Sequence, residues 1–115
     1  MYALNFYSDL YGDVLRNSRK TVTIRLGDKT DKYKTGMLVW VTVGPRFSRR
    51  QKLYTAILDR VEVKTIRDLS PRDIEREHPE FRGEDDVIAM LSRIYGDFIT
   101  PDDLVTVIYF SRVDE

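Results

Sequence analysis

Hydrophobic and polar residues alternate with a period of two in residues 21–26, the pattern of a strand with one covered face. Residues 3–6 are predicted to form a short first strand, and residues 104–112 the final strand. In residues 21–26 the apolar face consists of Val22, Ile24 and Leu26. Residues 37–43 are apolar on both faces, which predicts a central strand covered on both sides.

Residues 53–63 predict a longer strand with an irregularity in it. Tyr54, Ala56 and Leu58 are in one apolar phase, whereas Val61 and Val63 are in the other. A β-bulge around residues 59 and 60 would reconcile the two phases, because one extra residue returns the apolar side chains to the same face.

Three segments have helical patterns. Residues 8–17 carry apolar residues at helical spacing after Ser8, a residue type that caps helices. Ser70 followed by Pro71 predicts a second helix start, and residues 84–95 followed by Gly96 predict a third helix and its end. Strands grouped together, with helices in two separate insertions, indicate the α+β fold class.

The length of 115 residues predicts one domain, and 42% hydrophobic residues is ordinary for a globular protein. The absence of cysteine excludes disulfides, thiolate nucleophiles and thiolate metal sites. The longest apolar run, residues 37–41, is too short to cross a bilayer, so we expect a soluble cytoplasmic protein without a membrane partner. Nothing in the composition indicates an oligomeric state.

Charge is unevenly distributed along the chain, although the formal net charge is zero. Residues 1–64 contain 13 Lys or Arg and 6 Asp or Glu, a balance of +7, and residues 65–115 have the opposite balance. A surface that keeps this separation would attract phosphate or nucleic acid, whereas halves that intermix in space would neutralise each other.

The run DVLRNSRKTVTIR, followed by YKTGMLVWV, resembles the start of an ASCH domain, a branch of the PUA-like fold. Lys20 and Arg25 occupy the signature lysine and arginine of that family, and Gly36 occupies the glycine of the following turn. Ser18 stands where the signature has glycine. The resemblance implies a small, partly open PUA-like β-barrel with flanking helices.

Within the ASCH family the chain is most similar to small bacterial amidohydrolases that remove the acetyl group from N(4)-acetylcytidine. Their KTxT pattern, downstream glutamate and terminal helix ending in IY fall on Lys20, Thr23, Glu80 and Ile94-Tyr95. The resemblance implies that Thr23 is the nucleophile, Lys20 the base and Glu80 a proton relay, with a modified cytidine nucleoside as substrate. Arg25 and Tyr95 are the expected substrate-binding residues.

The catalytic roles of Lys20 and Thr23 require two physical conditions. Lys20 can act as a base only if its pKa falls well below about 10.4. In a regular strand Lys20 and Thr23 would point to opposite faces, roughly 10 Å apart, so the chain must bend or the strand must begin after Lys20. The alternative is that Thr23 is a strand-forming residue on a half-exposed surface and Lys20 a solvated cation.

The connection after residue 45 combines four cations with one aromatic ring. Basic groups neutralise phosphates and a ring can stack on an unpaired base, so this segment is the predicted RNA contact; a solvated loop is the alternative. Its residues are Arg46, Phe47, Arg49, Arg50 and Lys52.

Other candidate sites are weaker. His78 is the only histidine, and with no cysteine it cannot form an ordinary zinc site, so we expect neither a metal nor another cofactor. Trp40, Tyr54 and Phe110 lie on strand patterns and are predicted core residues.

Two hypotheses remain, an amidohydrolase acting on an acylated cytidine and a non-catalytic module that binds RNA through the same cleft and the basic loop.

Overall fold

The computed structural model describes residues 1–7, 15, 21–45 and 49–113. The predicted helix at residues 8–17 lies outside these ranges except for Leu15, which is helical and fully buried. The described part of the chain contains five strands, a short 3-10 turn at Ile66–Asp68 and two further helices. The strands are β1 (Ala3–Phe6), β2 (Val22–Leu26), β3 (Leu38–Val43), β4 (Gln51–Thr65) and β5 (Leu104–Val113), and the helices are α1 (Pro71–Glu77) and α2 (Glu84–Tyr95).

The strands form one sheet in the order β1-β3-β4-β5-β2. Strand β1 is parallel to β3, and the other neighbours are antiparallel. The sheet curves into a half-barrel whose two edge strands, β1 and β2, have no ladder between them. This arrangement confirms the predicted α+β class and the partly open barrel.

The predicted irregularity in the long strand is present. Leu58 pairs with Phe110 and Arg60 pairs with Tyr109, so Asp59 is the extra residue of a bulge between β4 and β5. Bulges bend a strand, and β4 pairs with β3 through residues 51–57 and with β5 through residues 55–65.

Both predicted helix starts and stops in the described ranges are confirmed. The Ser70 hydroxyl accepts a hydrogen bond from the Asp73 N–H at 3.0 Å, and the Asp73 carboxylate accepts one from the Ser70 N–H at 3.0 Å, which is a capping box. Helix α2 ends at Gly96, whose φ of 73° is in the left-handed region that glycine adopts without strain. None of the described helices is both long and apolar enough to span a membrane.

The prediction that β3 is covered on both faces is wrong. Val39, Val41 and Val43 are buried in the barrel, but Leu38 and Trp40 on the opposite face are each 44% exposed. An apolar side chain on a strand can remain at the surface, because much of a folded protein's surface is apolar. Trp40 is therefore not a core residue, whereas Tyr54 and Phe110 are buried as predicted.

A buried carboxylate ties helix α1 to the sheet. Asp73 is 1% exposed, and it accepts hydrogen bonds from the Lys64 ammonium at 2.8 Å and from the Tyr109 hydroxyl. Burial raises the pKa of Asp73, but the hydrogen bonds from Lys64, Tyr109 and Ser70 outweigh burial and hold it below its usual range. Burial lowers the pKa of Lys64, and the pairing with Asp73 and Glu62 outweighs it, so that pKa is raised.

We expect Asp73→Asn to lower the free energy of unfolding at pH 7 by about 2 kcal/mol, because the hydrogen bonds from Lys64, Tyr109 and Ser70 lose their ionised acceptor. A carboxyl group whose pKa is lowered in the folded state stabilises the fold at pH values above its unfolded pKa of about 4. This stabilisation is lost as the pH falls through the folded-state pKa. The variant should therefore lose less stability than the wild type below pH 4. Urea unfolding from pH 2 to pH 8 measures both effects.

Asp102→Asn is the control, since Asp102 is 77% exposed in a surface ion pair with Arg67. It should change the unfolding free energy by less than about 1 kcal/mol. An Asp73→Asn variant as stable as this control at pH 7 would show that the buried carboxylate does not hold α1 in place.

Candidate active site at the seam between the edge strands

The seam between β1 and β2 is the place where backbone groups of the sheet lack a neighbouring strand. On β1, the carbonyls of Tyr2 and Phe6 accept from Trp40 and Gly44 on the β3 side, at 3.1 and 2.9 Å. Alternate residues of a strand face opposite edges, so the carbonyl of Asn5 points to the open side. The same alternation on β2 directs the Ile24 N–H away from β5.

Arg25 on β2 satisfies the open carbonyl on β1. Its Nη2 donates to the Asn5 carbonyl at 3.0 Å, and its guanidinium carbon is 4.9 Å from the centroid of the Phe6 ring. Its Nε donates to the Thr23 hydroxyl oxygen at 2.9 Å. One planar guanidinium thus spans the seam and fixes the position of the Thr23 hydroxyl, which a single ammonium could not do in the same geometry.

Glu77, the last residue of α1, satisfies the open N–H on β2. Its Oε1 accepts from the Ile24 N–H at 3.0 Å, and its side chain is 2% exposed. The contact covers the free edge of β2 with a helix, one of the usual protections for an edge strand. It also places a carboxylate beside the seam.

A cavity of about 300 Å³ lies at this seam. Thr23, Arg25 and Glu77 line it together, and Tyr95 belongs to its wall. Further lining comes from β1, from the chain around residue 33, from Arg50 and from the apolar face of α2 near Met90 and Ile94. The combination of apolar wall and a few fixed polar groups is typical of small-molecule sites.

Two exposed cations, Lys32 and Arg50, also line the cavity and therefore lie at its rim. In residues 1–7, 15, 21–45 and 49–113, neither cation has a carboxylate within ion-pair distance. Gly44 lets the chain bring Arg50 to this place, since a Cβ on Gly44 would lie 2.9 Å from the Arg49 carbonyl oxygen. The rim thus favours an anionic group on a ligand.

The structure brings together Thr23, Arg25, Tyr95 and Arg50 from the predicted set. The alternative that placed Thr23 on a half-exposed surface is wrong, since Thr23 is 2% exposed. Glu80 does not join them. It is exposed, does not line the cavity, and its N–H donates to Nδ1 of His78 at 3.1 Å.

Glu77, three residues earlier, lies where Glu80 was expected. The chain leaves the helix at His78, so Glu80 cannot follow the helix face toward the seam. The helical period gave a signal for Glu77: Asp73 and Glu77 are four residues apart and share the buried face of α1 with Ile74. Lys32 was missed because nothing in its polar loop distinguishes it from its neighbours.

Arg49 and Lys52 are exposed and do not line the cavity. Lys20, Arg46 and Phe47 lie outside the described residues. Within the described ranges, no three His, Cys, Asp or Glu side chains form a group that could hold a metal ion.

No protein-family model matches this chain, and no curated protein matches it. Several solved structures, however, have a similar fold. An ASCH domain from Lactobacillus crispatus JV V101 is 15% identical, with a TM-score of 0.68 over 96% of this chain and 78% of that one. The fold is therefore similar to that of an ASCH domain.

A protein from Enterococcus faecalis V583 of the family DUF984 is also similar, at 19% identity and a TM-score of 0.66 over 90% of this chain and 69% of that one. At these identities the likeness concerns the path of the chain and not the side chains of the seam. The ASCH-like fold explains why the seam stays open, since the sheet is a half-barrel.

We expect Glu77→Ala to lower the free energy of unfolding by about 1 to 3 kcal/mol, because it leaves the N–H of the buried Ile24 without the carboxylate that accepts from it. Glu77→Gln retains an acceptor oxygen and should lose less. Glu80→Ala, at an exposed position, should change the value by less than about 0.5 kcal/mol. Chemical denaturation of the three variants measures this order, and equal effects at the two glutamates would contradict it.

Proposed function

We propose that the protein is an amidohydrolase that removes an acyl group from the exocyclic nitrogen of a cytidine such as N(4)-acetylcytidine. The observation that carries the proposal is that Thr23, Arg25 and Glu77 line one cavity, in which the Arg25 guanidinium donates to the Thr23 hydroxyl. Its volume of about 300 Å³ is at the lower end of small-molecule pockets, roughly 300 to 1,000 Å³, which suits a ligand of nucleoside size.

Thr23 is the proposed nucleophile. Because its oxygen accepts from Arg25 at 2.9 Å, its own proton is available to a base on another side. A guanidinium at that distance also stabilises the negative charge that develops on the oxygen as the proton leaves. Burial of the hydroxyl at 2% limits competing water around it.

The reaction would proceed in two steps, acylation of Thr23 and hydrolysis of the resulting ester. The Thr23 oxygen attacks the acyl carbon, the bond from that carbon to the cytosine nitrogen breaks, and the nitrogen takes up a proton to leave as the amine. Water then attacks the Thr23 ester and releases the carboxylic acid, returning the proton to the hydroxyl. Glu77 is the proposed proton carrier in both steps, in place of Glu80, and Lys20 remains the base that the family resemblance implies.

Arg25 and Tyr95 are proposed to position the substrate. The guanidinium has five N–H donors, and the two hydrogen bonds to Thr23 and Asn5 leave others for a carbonyl or hydroxyl of the ligand. Tyr95 ends α2 at the cavity wall, where its ring can lie against a flat base.

The non-catalytic alternative uses the same cavity as a base-binding pocket. The two exposed rim cations, Lys32 and Arg50, support it, because a hydrolase for a neutral nucleoside does not require them. Turnover separates the two functions, since a binding module would bind the cytidine unchanged.

Thr23→Val deletes the hydroxyl and keeps the size and branching of the side chain, so the pocket should retain its shape. We expect kcat for release of acetate from N(4)-acetylcytidine to fall by about 100-fold or more, while the Kd for substrate changes by only a few-fold. Product analysis by chromatography and calorimetric titration measure the two quantities. Thr21→Val is the matched control, since the Thr21 hydroxyl does not line the cavity, and it should retain wild-type kcat.

Glu77→Gln and Glu80→Gln form the second matched pair. The amide of Glu77→Gln can still accept from Ile24 but cannot carry a proton, so we expect a loss of about 100-fold or more in kcat. Glu80→Gln should remain active. Loss of activity in Glu80→Gln alone would instead assign the proton carrier to Glu80.

A further inference from the structure

Two rows of paired residues cross β3, β4 and β5 on the outer face of the sheet. Residues that pair across neighbouring strands have their side chains on the same face. The face is the outer one, because Leu38 and Trp40 are each 44% exposed, whereas Val39 between them is fully buried in the barrel. We name these two rows the outer patch; the first row is Leu38, Ile57 and Ser111, and the second is Trp40, Thr55 and Val113.

Opposite charges lie at the two ends of the outer patch. Lys52 lies beyond the row of Trp40, and its ammonium is 5.4 Å from the centroid of the Trp40 ring. Asp59, the extra residue of the bulge, lies beyond the row of Ser111, and its carboxylate accepts a hydrogen bond from the Ser111 hydroxyl. Both Lys52 and Asp59 are exposed. Along β4 the two charges are roughly 20 Å apart, with the outer patch between them.

The outer patch is not explained by the proposed hydrolysis, since none of its residues lines the cavity at the seam. Single exposed apolar residues are ordinary, but a contiguous group of them marks an interaction surface. Tryptophan in particular is enriched at the centre of protein interfaces, because its ring buries a large area when it is covered. The outer patch therefore has the composition of an interface with another macromolecule.

The outer patch is complementary to itself under two-fold symmetry. A two-fold axis that runs across the strands, between the two rows, brings a second copy face to face with its strands antiparallel to those of the first. Trp40 then lies opposite Leu38 of the second copy, and Lys52 lies opposite Asp59 of the second copy. The symmetry makes each of these contacts occur twice. Packed sheets are roughly 10 Å apart, a distance that the long side chains of Trp40 and Lys52 can span.

We propose that the outer patch is the interface of a symmetric homodimer. A second copy supplies the charges that the patch requires, a carboxylate opposite Lys52 and an ammonium opposite Asp59. The formal net charge of the chain is zero, so two copies do not repel each other at long range. A polyanion fits less well, because the Asp59 carboxylate at one end of the patch would repel it.

Sedimentation equilibrium over protein concentrations from about 5 μM to about 1 mM measures the association. We expect a reversible dimer, and the emission of Trp40, the only tryptophan, should shift to shorter wavelength as the dimer forms and the indole leaves water. Trp40→Ala should weaken the dimer by about 10-fold or more, because the indole is lost from both halves of the interface. Phe98→Ala is the matched control, since Phe98 is 92% exposed but lies outside the outer patch, and it should dimerise like the wild type.

Charge reversals test the two-fold arrangement. Lys52→Glu places two carboxylates opposite each other at both ends of the interface, and Asp59→Lys places two ammonium groups there. Each variant alone should dimerise at least about 10-fold more weakly than the wild type. An equal mixture of the two variants should form a heterodimer of about wild-type affinity, because every charge pair then joins opposite charges again. The double variant Lys52→Glu/Asp59→Lys should dimerise like the wild type for the same reason.

Three results would overturn the proposed dimer. The first is a wild-type protein that remains monomeric at about 1 mM. The second is a dimer that Trp40→Ala leaves unchanged. The third is a mixture of Lys52→Glu and Asp59→Lys that associates no more tightly than either variant alone, with circular dichroism showing that both are folded. None of these measurements depends on hydrolysis, so the dimer and the proposed function are tested independently.

Discussion

The open seam between β1 and β2 is the constraint on which the site depends. A half-barrel of five strands leaves two edges, and each edge directs backbone groups into a region with neither a partner strand nor free access to water. Arg25 and Glu77 satisfy two of those groups, the Asn5 carbonyl and the Ile24 N–H. Charged side chains therefore lie at the seam for reasons of folding before any chemistry is considered, with Glu77 buried and Arg25 partly buried.

This double use makes the geometry of the site rigid. Arg25 cannot move away from the Thr23 hydroxyl without also breaking its bond to β1, and the Glu77 carboxylate is held by a strand on one side and by its helix on the other. Asp73 is a further buried carboxylate with a structural role, because its hydrogen bonds with Lys64 and Tyr109 hold α1 against β4 and β5. Pre-organised polar groups are what a hydrolase needs, since they cost no reorganisation during the reaction.

Much of the fold was predictable because its signals are local. The change of apolar phase in residues 53–63 predicted the bulge at Asp59, and Ser70 and Gly96 marked a helix start and a helix end. The burial of Trp40 was predicted wrongly, because apolarity on both faces of a strand does not say whether another element covers the second face. That depends on how far the sheet curves, which is a property of the whole chain.

The site was predictable only in part, for a related reason. Arg25 and Thr23 are two residues apart on one strand, so alternation alone places them on the same side, and the structure puts both in the cavity. The glutamate depends on where α1 ends, and spacing along the sequence does not fix whether residue 77 or residue 80 faces β2. The end of α1 determines which glutamate faces β2. Glu77 is the last helical residue and follows Asp73 on the buried face. The helix ends before Glu80, so Glu80 is not on that face. The rim cations Lys32 and Arg50 come from two loops that only the folded chain brings together.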